Sequence, residues 1–187
     1  MTVPDDLLVK WKSFDKEKKV IAFYSDKSDY YPCFSNFFRH KPFNFIIPKW
    51  CGKFAGTSVP VEFSEKAIML CKASLFSDEI KFHEIRLANT PMKAKQLGRK
   101  CKFNQNIWNK FVCKIAEEVV YQKFLLVDGL KQILVNTGDV LIAEAAPRDK
   151  IWGIGMSRTN PLVNIPSKWK GINILGWALM LTRSKLK

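Results

Sequence analysis

Nothing in this sequence has the spacing of a metal site or a disulfide framework. The five cysteines, Cys33, Cys51, Cys71, Cys101 and Cys113, form no C-x-x-C pair, and His40 and His83 stand apart from any pair of cysteines. Zinc sites need closely spaced ligand pairs, and disulfide scaffolds need dense, even-numbered cysteines. No metal is therefore expected, and the thiols read as reduced and mostly buried. Long apolar runs are also missing: none approaches the roughly 20 residues that span a bilayer. The first ten residues carry Asp5 and Asp6 and no apolar core, unlike a secretory signal, so the expected location is cytoplasmic with no membrane partner. Gly153 and Gly155 are not continued into G-x-G-x-x-G, and no Walker-type lysine follows, which argues against a nucleoside triphosphate loop.

Acidic residues are absent from two long stretches. Lys93–Ala116 holds seven basic residues and no acid, and Lys150–Lys187 holds seven more, again with no acid. The formal net charge is +14. A field of that sign favours phosphorylated ligands and attracts nucleic acid non-specifically, although charge alone names no partner.

What is present reads as one globular unit. The chain has 187 residues, 47% hydrophobic and 26% charged. At this length a single domain buries roughly 70% of the surface of its unfolded chain. Residues 1–19 are polar and charged, with Trp11 and Phe14 as possible docking points, and read as an N-terminal extension to a domain over 20–187. Val20–Tyr24 and Phe43–Ile47 read as short strands within a loop-rich first third. Helices then dominate. Ser64 is a candidate N-cap for 65–76, a second helix covers 78–88, and Thr90-Pro91 opens a third that Gly98 closes. A long helix over 105–125 presents Ile107, Phe111, Ile115, Val119 and Phe124. Asp128 opens a helix over 129–136, Val140–Ala145 reads as a strand, and the last helix starts near Gly171. The predicted fold class is α+β, a compact, mostly helical single domain with a few short strands.

Three stretches can carry chemistry. On a helix, Glu65, Met69 and Lys72 share a face, since seven residues is close to two turns. A carboxylate and an ammonium around an apolar patch suit a sugar phosphate, though a capped surface helix explains the same pattern. In Glu144–Gly155, Asp149 is a candidate acid or base, Trp152 a stacking face for a base, and Gly153 and Gly155 allow close backbone approach. Aromatics interleaved with Ser35 and Asn36, after Phe23-Tyr24, are plausible ligand walls.

In order along the chain, these stretches resemble the YbiA-like (NADAR) family. The resemblance runs through Phe23-Tyr24, Phe34-Ser35-Asn36-Phe37, Phe63-Ser64-Glu65 with Lys72-Ala73, and Ala94-Lys95 to Gly98-Arg99. It continues through Trp108, Lys123-Phe124, Leu134 to Thr137-Gly138, Glu144, and Asp149 to Gly155, and ends with Trp169 to Gly176, Leu179-Met180 and Arg183. It covers about residues 20–185. The resemblance implies an N-glycosidase without cofactor. Some members hydrolyse ribosylamino-pyrimidine 5′-phosphates that are early riboflavin intermediates, and others remove ADP-ribose from guanine in nucleic acid or nucleotides. It implies Glu65 and Asp149 as catalytic residues. Phe23, Tyr24, Ser35, Asn36, Lys72, Arg99, Trp108, Trp152, Gly153, Gly155 and Asn173 are the implied substrate-binding residues. The implied partner is a phosphorylated, nucleotide-like small molecule, with nucleic acid as an alternative. Lys66 and Cys71 depart from the family pattern, where His or Gln and a polar residue are common. Residues 48–61 form a longer loop. Lys66 beside Glu65 keeps a non-catalytic binding module open as a further alternative.

Overall fold

The computed structural model describes residues 16–187. Trp11 and Phe14 lie outside the described residues. Near the start of the described chain, the Lys18 N–H donates to the Asn164 carbonyl at 2.7 Å.

Among the described residues, short strands alternate with six α-helices. Strands β1 (Val20–Phe23), β2 (Phe43–Ile46) and β3 (Ser58–Val61) precede helices α1 (Ser64–Leu75), α2 (Glu79–Arg86), α3 (Pro91–Arg99), α4 (Gln105–Leu126) and α5 (Leu130–Val135). Strand β4 (Leu141–Glu144) and helix α6 (Ile174–Leu186) complete the order. This is the mostly helical α+β fold that the sequence predicts. No described helix is long and apolar enough to cross a membrane.

The strands form two pairs. β2 and β3 are antiparallel, while β1 and β4 are parallel, with Val20 opposite Leu141 and Phe23 opposite Glu144. Each pair anchors one apolar core. The first gathers α1, α2 and α3 around Phe45, Phe63, Leu70, Phe82 and Ile85. The second gathers β1, α4, α5 and α6 around Phe23, Phe34, Phe124, Leu134 and Leu179. Trp108 and Trp152 pack against both cores, so they mark the seam between them.

Several local signals end differently from the sequence reading. Ser64 is the first residue of α1 and not its cap. Phe63 occupies the cap position without a side-chain bond, and the Glu65 N–H is received by the Asn36 carbonyl at 2.9 Å. A tertiary contact thus does what a cap side chain does elsewhere. Thr90 does cap α3, accepting from Lys93 N at 3.2 Å, but Gly98 lies inside that helix, where Met69 presses against it. Gly129 at φ 76, not Asp128, precedes α5, and Asn173, two residues beyond Gly171, precedes α6. On α4, Ile115, Val119 and Phe124 are buried and Phe111 packs against the first core as expected, while Ile107 is exposed and Val112, Ala116 and Val120 are buried as well, so the inward face is wider than the expected one. The longer segment 48–61 folds onto α1 and α2, and Phe54 stacks on Phe82 at 3.9 Å between ring centroids. All five cysteines are free and buried, as their spacing predicts.

Candidate active site

A cavity of about 270 Å³ opens along the seam between the two cores. The helical spacing read from the sequence places Glu65, Met69 and Lys72 of α1 together on its wall. Helix α3 adds Lys95 and Arg99, and α4 adds Trp108. The loop after β1 contributes Ser35, Asn36 and Phe37, while the end of β4 and the following loop contribute Glu144, Asp149, Ile151 and Trp152. Three basic and three acidic side chains therefore face one another over an apolar floor.

The carboxyl groups differ in surroundings. Asp149 Oδ1 accepts the N–H groups of Ile151 at 2.9 Å and Trp152 at 2.8 Å, which fixes its orientation. Burial raises the Glu65 pKa to about 7, and Lys95 and Arg99 oppose the rise. Burial also raises the Glu144 pKa to about 8, reinforced by Asp149 and Glu65. A low-dielectric wall disfavours the charged form of a carboxylate, and a like charge nearby adds to the effect. With Glu65 and Glu144 partly protonated near neutrality, the three cations are not fully neutralised, which suits an anionic ligand. Lys72 sits with Nζ 3.4 Å from the Phe103 ring centroid and 5.4 Å from that of Trp108, and burial lowers its pKa.

A second groove of about 480 Å³ continues from the cavity. It shares Lys95, Arg99 and Asp149 with the cavity and adds Tyr24, Pro147 and Arg148. A third depression carries Tyr24 and Pro147 onward to Arg158.

Of the residues expected from sequence, Glu65, Asp149, Ser35, Asn36, Lys72, Arg99, Trp108 and Trp152 line the cavity, and Tyr24 lines the adjoining groove. The other four lie elsewhere. Phe23 is fully buried and meets Phe34 edge-on at 5.5 Å, so it belongs to the core and not to a ligand wall. Asn173 is fully buried, and its side chain accepts from Glu144 N at 3.0 Å and donates to the Ile142 carbonyl at 2.9 Å. Gly153 permits a backbone approach, but to protein: a Cβ there would lie 2.6 Å from the Glu144 carbonyl. Gly155 has φ 67 and shapes the loop that carries Asp149 and Trp152. Lys66 does not reach the cavity, since its ammonium bonds Glu62 at 2.8 Å. Among the described residues, no group of three or more His, Cys, Asp or Glu side chains is placed to hold a metal ion.

The sequence reading did not assign Glu144, Lys95, Met69 or Ile151 to the site. Glu144 and Lys95 both stand in the ordered family pattern, which was the signal available for them. Met69 was visible as the apolar residue between Glu65 and Lys72.

Comparison with known proteins follows the same lines. The chain matches the NADAR domain over residues 22–187. It is 41% identical over 124 residues to N-glycosidase R617 of Acanthamoeba polyphaga mimivirus, covering 65% of this chain and 72% of that protein. It is 33% identical over 105 residues to N-glycosidase Npun_R5314 of Nostoc punctiforme, covering 55% of this chain and 60% of that one. The fold is similar to the NMR structure of the E. coli protein YbiA. The TM-score is 0.64 at 28% identity, covering 94% of this chain and 90% of that one.

Proposed function

The chain belongs to the NADAR domain family, and on that premise we propose that it is an N-glycosidase hydrolysing the C–N bond of a ribosylamino-pyrimidine 5′-phosphate to release ribose 5-phosphate. The observation that carries this reading is the gathering of Glu65, Glu144 and Asp149 beside Lys95 and Arg99 in one cavity. Breaking a glycosylamine bond builds positive charge on the ribose carbon and ring oxygen, and a carboxylate close by stabilises that transition state. Asp149, held by two backbone N–H groups, is the fixed carboxylate beside the developing cation. Glu65 receives the proton of the attacking water. Lys95 and Arg99, joined by Arg148 in the adjoining groove, hold the phosphate. Trp152 and Trp108 provide flat apolar faces for the base.

A second reading has a specific observation behind it. The cationic groove runs past the cavity toward Arg148 and Arg158, which favours a larger phosphorylated substrate such as ADP-ribosylated guanine in nucleic acid. Steep salt dependence of turnover would mark that substrate, because displaced counterions set the slope.

The test is parallel incubation with a ribosylamino-pyrimidine phosphate and an ADP-ribosylated guanine oligonucleotide, followed by mass spectrometry of the released sugar. Ribose 5-phosphate appears from the first, and Glu65→Gln lowers the rate by roughly a hundredfold. Release of ADP-ribose alone replaces the first reading with the second, and release from neither overturns both. A base with its pKa near 7 must be ionised to act, so the rate rises as pH passes through about 7.

A further inference from the structure

The cavity holds one more carboxyl group than this scheme uses. Glu144 ends β4, and its backbone is fixed on several sides. Its N–H donates to the Asn173 side chain at 3.0 Å, its carbonyl accepts from Ile154 N at 2.8 Å, and Gly153 presses against the same carbonyl. Its side chain is free of any such tie: Oε2 is buried and has no hydrogen-bond partner among the described residues. Asn36 Oδ1, from the loop after β1, lines the same cavity and is buried and unpartnered in the same way. Buried polar atoms without partners are costly; of the six among the described residues, those of Asn36 and Glu144 are the two whose residues line the cavity, where ligand groups can complete them.

We propose that Glu144 is the general acid of this site, delivering a proton to the departing nitrogen, and that this nitrogen is an exocyclic amine whose own N–H is received by Asn36 Oδ1. The proposal rests on the N-glycosidase reading and deepens it. As the C1′–N bond breaks, the nitrogen keeps the electron pair and takes the proton from the Glu144 carboxyl. Water forms the new C1′–O bond and yields its proton to Glu65. One proton has then moved from Glu144 to Glu65, and exchange with solvent restores both. A ring nitrogen of an ordinary nucleotide carries no hydrogen for Asn36, whereas a ribosylamine nitrogen does.

The charges facing Glu144 fit the role. Glu65 and Lys72 come from α1, Lys95 and Arg99 from α3, and Asp149 from the loop after β4. Burial, Asp149 and Glu65 keep Glu144 protonated up to about pH 8, against the pull of Lys95. A carboxylic acid still neutral at working pH can donate where an ionised one cannot.

The experiment compares three ribose 5′-phosphates: the ribosylamino-pyrimidine, uridine 5′-monophosphate, and the 4-nitrophenyl riboside, whose phenolate departs without protonation. The native protein favours the amine over uridine 5′-monophosphate by at least about a hundredfold, since a site built to bond an N–H rejects a substrate lacking one. Glu144→Gln loses about a hundredfold on the amine and less than about tenfold on the nitrophenyl compound. With native protein, turnover of the amine falls above about pH 8 while that of the nitrophenyl compound does not. That profile needs no variant to fold. Equal losses on both substrates, or the same alkaline fall with both, overturn the general acid while leaving the glycosidase reading in place. Rapid cleavage of uridine 5′-monophosphate overturns the amine selectivity. Native protein inactive on all three overturns the reading on which the proposal rests.

Discussion

Arg183 is buried and Glu144 half-buried with a buried Oε2, and both belong to elements of the second core, yet their neighbours treat them differently. Arg183 Nη1 donates to Thr137 Oγ1 at 2.7 Å and to the Val140 carbonyl at 2.9 Å. Likewise, the fully buried Lys123 donates to the carbonyls of Cys33 at 2.6 Å and Ser35 at 3.1 Å. Gln122 joins α4 to β2 by bonding both the N–H and the carbonyl of Ile46 at 2.9 Å. These side chains use their burial to tie one element to another. In the cavity, Glu144 Oε2 and Asn36 Oδ1 are buried without partners. An unsatisfied buried polar atom costs roughly 1–3 kcal/mol, and the two in the cavity lie where a ligand can remove that cost, unlike Thr182 Oγ1 beside Arg183 on α6. The difference separates residues that hold the fold from residues kept ready for a ligand.

The sharpest way to break this comparison is Asn173, which belongs to the first class although the sequence suggested the second. Asn173→Ala removes two buried bonds and puts alanine at φ 56. A loss of about 3 kcal/mol is expected from the bonds and the left-handed backbone together, read from the midpoint of denaturant unfolding. Arg99 belongs to the second class. Arg99→Met should raise KM for the phosphorylated substrate about tenfold with little change in kcat, the pattern of lost uniform binding. A dephosphorylated analogue should show no such change. Gly155 is expected to have the smallest effect. Gly155→Ala strains a φ of 67 and brings a Cβ within 3.0 Å of the Lys150 side chain, for about 1 kcal/mol of stability. Calorimetry would read that loss, and KM should stay unchanged.

Much of the frame was legible because its signals are local. The Thr90-Pro91 start of α3 and the shared face of Glu65, Met69 and Lys72 need only helical geometry. The misplaced residues depend on distant partners. Phe23 points into the core because β1 pairs with β4, roughly 120 residues away in sequence, and no local pattern announces that parallel pairing. Asn173 looks like a polar loop residue until its side chain is seen between Ile142 and Glu144. Ser64 is the first residue of α1 and not its cap, and the Glu65 N–H goes to the Asn36 carbonyl, a distant partner that no local pattern announces. Glu144 becomes distinctive only when its burial and its unpartnered oxygen are known, and neither is a property of the strand sequence.

Stability and turnover of Glu65→Gln, followed together across pH, test most directly whether the cavity carboxyls serve chemistry at the expense of the fold. The Glu65 pKa is raised in the folded protein from 4.5 to about 7, so the folded state binds this proton more tightly than the unfolded chain does. Native stability therefore falls as pH rises from about 4.5 through about 7, and the variant lacks that loss. The account predicts a variant that melts several degrees above the native protein at pH 8, matches it at pH 4, and turns over roughly a hundredfold more slowly. A variant that melts below the native protein at pH 8 while retaining its turnover would contradict it.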